Sequence, residues 1–334
     1  MRKTKILTAA VAACLALAGS AAAQTLIVLN KSDHEAALVN PVTLEVMAKL
    51  PTGKGPHEVA ASRDGKFAYV SNYGSFGVFR PGEQRPPQPP GTTVTVLDLK
   101  KRQAVATWEL GEYKQPHGIV TSRDGKKLWV TTEGAKAVLE IETSGGKIVK
   151  AWKTGQDVSH MLVPTPDEKK LYVASIRSGS VTVIERASDA VKVIQTAAGT
   201  EGIDVSPDGK EVWASNRGAN TISVIDTATD TVTSSFESGG TMPIRVKFTP
   251  NGKEVWVSNA QSNLVCVFDA KTRALLAKVA VGMVPAGIQM TPDGKRAFVA
   301  NTNANKVSVI DVAARKVMNT FATGNEPDGM AWAK

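Results

Sequence analysis

The segment VWASNRGANTISVIDTATDTV, beginning at Val212, recurs as AFVANTNANKVSVIDVAARKV from Ala297, and weaker copies fill the rest of the chain. A repeat of roughly forty residues restricts a chain to stacked supersecondary units, as in a propeller or a solenoid. The polar residue that closes each YVSN-like strand counts the units. It falls at Asn30, Asn72, Thr132, Ser175, Asn216, Asn259 and Asn301, with steps of 42, 60, 43, 41, 43 and 42 residues, hence seven units. From the second unit on, a turn precedes the strand: Asp64-Gly65, Asp124-Gly125, Asp167-Glu168, Asp208-Gly209, Asn251-Gly252 and Asp293-Gly294. Asp-Gly and Asn-Gly suit two-residue hairpin turns. Asp167-Glu168 departs from the pattern and predicts a different turn.

Each unit reads as four short strands. The fifth predicts Ile203–Ser206, Val212–Asn216, Thr221–Asp226 and Val232–Phe236, all β-branched or apolar and separated by Gly, Pro, Asn and Asp. The expected fold class is all-β: a seven-bladed β-propeller of four-stranded antiparallel blades, in which radial repetition protects the sheet edges. The phase of the repeat supports closure. The first unit starts at a second strand, Leu26–Asn30, and the last residues, Gly329–Trp332, form a surplus first strand. Pairing them would complete a blade and close the ring between N- and C-terminal strands.

The segments YVSN at Tyr69–Asn72, VWVSN at Val255–Asn259 and AFVAN at Ala297–Asn301, followed by VSVID at Val307–Asp311, resemble the YVTN-type β-propeller repeat family. The similarity runs through nearly all of residues 24–334 and is strongest from Leu171 onward. It implies a secreted or periplasmic propeller. It implies fold and not chemistry, since sites are grafted onto such folds independently.

Residues 1–23 read as a secretory signal. Arg2, Lys3 and Lys5 form its positive end, Ile6–Ala18 its apolar core, and Ala21-Ala22-Ala23 its cleavage site. The stretch is too short for a membrane span. A lipoprotein signal ending at Cys14 is the competing reading. Periplasmic or secreted localisation is expected, with residues 24–334 as a single propeller domain carrying an insertion at 75–92. Loss of the three basic residues lowers the formal charge from +9 to +6. That mild excess suits solubility or a weak anionic partner. Cys266 is the single cysteine beyond residue 23, so no intramolecular disulfide is expected. There is no CxxCH for c-type haem and no cysteine cluster for an iron–sulfur cluster. GxSxG, GxGxxG and Walker A motifs are absent too.

Three of the four histidines share one repeat position. Aligning the first strands puts His57, His117, His160, Glu201, Ile244, Ala286 and Asp328 at equivalent places. First strands line a propeller's channel, so these residues should face one another at one mouth. Imidazole suits zinc, copper, nickel or iron, and a carboxylate completes a mixed shell. The candidate metal set is therefore His57, His117, His160, Glu201 and Asp328. The competing reading is structural, with each imidazole bonding a neighbouring carbonyl at a strand start. His34, in the loop after Asn30, is a further imidazole on this face and reads as solvated.

The insertion, SFGVFRPGEQRPPQPPGT, belongs on the same face and reads as a lid. The same face should collect a rim of Lys31, Tyr73, Phe76, Phe79, Arg80, Arg85, Glu133, Arg177 and Arg217. Cations beside aromatics suit a small organic anion or single-stranded nucleic acid. The aspartates ending third strands, Asp98, Asp226, Asp269 and Asp311, read as turn chemistry. Three functions remain open at this point. One is a binding module for a metal or small anionic ligand. Another is a metal-dependent enzyme (oxidoreductase, lyase or hydrolase) using the same ring. The third is an interaction protein whose rim takes nucleic acid or a protein partner. A monomer is expected.

Overall fold

In the computed structural model, which describes residues 24–74 and 88–334, the strands form seven four-stranded antiparallel sheets. Six sheets take their strands in sequence order. We number the blades by their innermost strands: Pro327–Ala333 in blade 1, then Pro56–Ala61, Pro116–Thr121, Ser159–Pro164, Thr200–Val205, Pro243–Phe248 and Pro285–Met290 in blades 2 to 7. Blade 1 is the closing blade. Leu26 pairs with Trp332, Ile27 with Ala331 and Val28 with Met330, as the repeat phase predicts. In blade 5 the strands are Thr200–Val205, Glu211–Asn216, Thr221–Asp226 and Thr231–Glu237. One three-residue 3₁₀ turn, Thr302–Ala304, is the helical structure among the described residues. No helix among them is long and apolar enough to cross a membrane.

The second strands are apolar at successive positions because both faces are covered. Period-two alternation sends neighbouring side chains to opposite blades. Ile27 and Leu29 pack toward blade 2 with Val59, Ala68 and Val70. Leu26 and Val28 pack toward blade 7 with Phe298 and Ala300. Likewise Leu128 and Val130 join the cluster between blades 2 and 3, while Trp129 joins the one between blades 3 and 4. Cys266 is fully buried between blades 5 and 6. Burial pushes its thiol up to about 11, so it is inert packing at neutral pH.

The Asp-Gly turns differ from the expected two-residue hairpins. Only the glycine has positive φ, for example Gly65 at 69°. Gly65 N–H bonds Ser62 O, Ser62 Oγ bonds Asp64 Oδ1, and the strand resumes with Ser62 N–H on Phe67 O. The turn is thus a four-residue loop held by the serine and aspartate side chains. Asp167-Glu168 adopts the same turn, with Glu168 at φ 58° and its N–H on Thr165 O. The expectation of a different turn fails because the Thr165–Asp167 side-chain bond organises the loop as strongly as glycine does. The third-strand aspartates do cap turns. Asp226 Oδ1 accepts from the N–H of Ala228 and Thr229, and Asp269 Oδ1 from those of Lys271 and Thr272.

Candidate functional site

Each innermost strand starts at one mouth of the channel, and the loop after the second strand returns there, as Tyr73 N–H bonding Gly55 O shows. Three tiers of equivalent residues follow from the repeat. The first, in blades 1 to 7, is Asp328, His57, His117, His160, Glu201, Ile244 and Ala286. The second follows the second strands: Lys31, Tyr73, Glu133, Ile176, Arg217, Ala260 and Thr302. The third lies one residue deeper along the innermost strands: Gly329, Glu58, Gly118, Met161, Gly202, Arg245 and Gly287. All five residues of the expected metal set line one cavity of about 640 Å³, together with Lys31, Tyr73, Glu133, Arg177 and Arg217. Phe76, Phe79, Arg80 and Arg85 lie outside the described residues, as do most of the 75–92 insertion and the signal segment with Cys14. The base of the insertion is at this mouth, since Gly91 N–H bonds Tyr73 O and Gly91 O accepts from Gln115 N–H.

Neighbouring blades fix the first tier. Ser71 Oγ donates to His117 O at 2.6 Å, and Thr131 Oγ1 to His160 O at 2.6 Å. The glycines of the third tier permit close approach between innermost strands. A Cβ at Gly287 would lie 2.2 Å from Asp328 O, and one at Gly329 2.2 Å from His57 O. Where the third tier is not glycine, side chains enter the channel. Arg245 of blade 6 forms an ion pair with Glu58 of blade 2 across the axis and places Nη1 3.4 Å from Met161 Sδ. These three residues floor the cavity. Sequence reading missed them, although each is visible as a departure from glycine.

A polar chain runs around the wall. Gln115 Nε2 donates to Tyr73 Oη at 3.1 Å, and Tyr73 Oη donates to Glu133 Oε2 at 2.5 Å. Glu133 Oε1 holds His160 Nδ1 at 2.5 Å. His160 Nε2 lies 3.6 Å from Glu201 Oε1, whose other oxygen takes Arg217 Nη1 at 2.8 Å. Lys31, 1% exposed at its side chain, pairs with Asp328 at 2.9 Å. The imidazoles of His117 and His160 stack at 3.6 Å between centroids, and His57 lies 5.2 Å from His117. His57 Nδ1 bonds Gly55 O at 2.8 Å, so Nδ1 carries the proton and Nε2 is a lone-pair nitrogen. That Nε2 and His117 Nδ1 are buried without a partner. His34 Nδ1 accepts from Gly55 N–H, a loop-bracing role rather than a solvated one.

The expected set is therefore gathered but not equivalent. Ligand atoms of His117, His160 and Glu133 lie within 4.8 Å of one another. Glu133, expected on the rim, joins this cluster because its loop overhangs His160. Asp328, expected as a ligand, faces Lys31 instead, because a buried ammonium takes the nearest carboxylate.

Burial, aided by the Lys31 charge, holds His57 down at about 4. Burial and the His160 charge likewise keep His117 well below the ordinary histidine value. Burial acts to lower His160 as well, but the Glu133 hydrogen bond and charge outweigh it and raise that group. In metal-free protein, His57 is neutral above pH 6.5 in both folded and unfolded states. Below 6.5 the unfolded chain takes up a proton that the fold refuses, so stability falls with pH until about 4. The loss is roughly 2 kcal/mol between pH 6.5 and 5 from His57. His117 adds in the same direction, and His160 opposes, its contribution being lost as pH rises through its raised value. Thermal melts at pH 7 and 5 should show this drop in the wild type and a smaller one in His57→Asn. Equal pH dependence in the two proteins would remove His57 as its source.

Residues 151–291 match the family model described as YNCE-like beta-propeller, which is less than half of the chain. The seven-bladed beta-propeller protein Rv1057 of Mycobacterium tuberculosis is 30% identical over 152 residues, 44% of this chain and 33% of that protein. The chain belongs among the β-propeller proteins. It spans about a third of the length of that curated relative. Among solved structures, a chain of Kuenenia stuttgartiensis hydrazine synthase superposes with a TM-score of 0.75 at 24% identity, covering 86% of this propeller and 92% of that chain. The periplasmic gluconolactonase PpgL of Pseudomonas aeruginosa superposes at 0.72 and 16% identity, covering 93% and 99%. At these identities the likeness extends to the fold alone.

Proposed function

We propose that this propeller is a periplasmic binding module, of the YVTN repeat type, that holds a divalent transition metal at the channel mouth. The ligands are His117, His160 and Glu133, with Glu201 Oε1, 3.6 Å from His160 Nε2, and the lone-pair Nε2 of His57 as further donors at the same mouth. The observation that carries the reading is the buried cluster itself: three ligand residues within 4.8 Å, beside two imidazole nitrogens with no partner. Unpaired buried polar atoms are costly and call for an occupant. Zinc, copper, nickel and iron all accept imidazole and carboxylate together. Because the His117 and His160 rings stack, one of them has to turn before both nitrogens converge on an ion. The periplasmic placement rests on the signal-like residues 1–23.

Calorimetric titration of metal-stripped protein with zinc, copper and nickel tests this. Wild type should take up one ion. His117→Ala should weaken uptake by about 100-fold or more, and Glu201→Gln by less, about tenfold, as a neighbour of His160. No uptake above background, or undiminished uptake by His117→Ala, returns the histidines to strand-start structure. A second reading, a metal-dependent enzyme, is favoured by the size of the cavity, about 640 Å³, which has room for an organic substrate beside the cluster. Nucleic-acid binding through the rim is less well supported, because Lys31 and Arg217 are already paired with carboxylates.

A further inference from the structure

The mouth cavity has two unlike walls. Above the Arg245–Glu58 floor, blades 1 to 5 present the charged and imidazole groups. On blades 6 and 7, Ile244, Ala260 and Ala286 are buried and pack with Met242 and Val284 into one apolar cluster. Ile244 and Ala286 line the cavity directly. A hydrated metal ion gains nothing from such a wall, whereas an organic body does. The volume, about 640 Å³, falls in the range of small-molecule sites.

The charges lining the cavity are almost all matched. Lys31 meets Asp328, Arg217 meets Glu201, and Arg245 meets Glu58. Glu133 is bonded by Tyr73 and His160, and Asp157 by Lys136. Arg177 is the remainder. Its guanidinium makes no hydrogen bond or ion pair among the described residues, and it feels Asp157 only at a distance. It sits on blade 4, next to Arg217 of blade 5, which in turn adjoins the apolar wall at Ile244 of blade 6. One guanidinium without a carboxylate partner, beside an apolar wall, suits a monoanion with a hydrophobic portion.

We infer that the cavity takes a small carboxylic acid with an apolar body, its carboxylate at Arg177 and its body against Ile244 and Ala286. A guanidinium pairs with a carboxylate through two parallel hydrogen bonds, which sets the orientation. The inference rests on the reading of this mouth as the ligand site, and it seats the acid beside the metal cluster on blades 3 and 4.

The test is calorimetric titration of the whole chain with acetate, butyrate and hexanoate, with and without zinc. Hexanoate should bind at least roughly tenfold tighter than acetate, since each methylene buried on the apolar wall adds up to about fourfold. Arg177→Gln, at an exposed position, should weaken butyrate and hexanoate by about tenfold. Ile244→Ala should shrink the gain from acetate to hexanoate. Equal affinities for acetate and hexanoate, or full hexanoate binding by Arg177→Gln, would overturn the inference. Zinc uptake without any acid binding also overturns it and leaves the metal reading standing. Acid binding with the expected length dependence but without zinc uptake upholds it and removes the metal.

Discussion

Removing residues 327–334 should cost the protein most of its cooperative thermal transition. The deletion takes out the innermost strand of blade 1 and with it the pairing of Leu26 with Trp332, Ile27 with Ala331 and Val28 with Met330. Met330 and Ala331 are buried, and losing a methionine of this kind costs about 2–5 kcal/mol. Lys31 would keep its ammonium buried without Asp328, a further cost of about 3–5 kcal/mol. Together these approach the roughly 5–15 kcal/mol that a whole domain has to spare. Asp328→Asn in the whole chain separates the charge from the strand and should show only the second part. A truncated chain that melts as sharply and as high as the whole one would mean that closure of blade 1 does not hold the ring.

The second large effect is expected at the channel floor. Glu58 is 7% exposed, and Arg245 reaches it from the opposite side of the ring. Removing one partner of such a pair strands a buried charge, so Arg245→Ala should destabilise by about 3–5 kcal/mol in denaturant unfolding. Replacing both, as Glu58→Met with Arg245→Leu, should recover most of that loss, because two apolar side chains need no mutual charge. The coupling between the two sites in a double-mutant cycle is therefore large. If Arg245→Ala costs under about 1 kcal/mol, water reaches the pair and the floor is open.

Much of this molecule is legible in the repeat. Blade number, strand order and ring closure follow from the spacing of Asn30 to Asn301 and from the odd phase of Leu26–Asn30 and Gly329–Trp332. The first tier is legible for the same reason, since equivalent positions in a ring must face one another. What the repeat leaves open is which neighbour each side chain chooses. Glu133, from the loop after Thr132, bonds His160, while Asp328 pairs with Lys31, and neither choice of partner is written in the repeat. The Arg245–Glu58 pair joins residues 187 apart in sequence, and no local pattern announces a contact across an axis. The Asp167-Glu168 turn lacks the glycine of its counterparts, and there the Thr165 hydroxyl does the organising.

A metal held by the histidine–carboxylate cluster at the mouth is the proposal on which the functional reading turns. Anomalous diffraction from crystals grown with zinc, collected above and below its absorption edge, tests it most directly. The expected result is one peak between His117, His160 and Glu133 that vanishes in His117→Ala. A peak elsewhere on the propeller, or no peak from protein saturated with zinc, would contradict the claim.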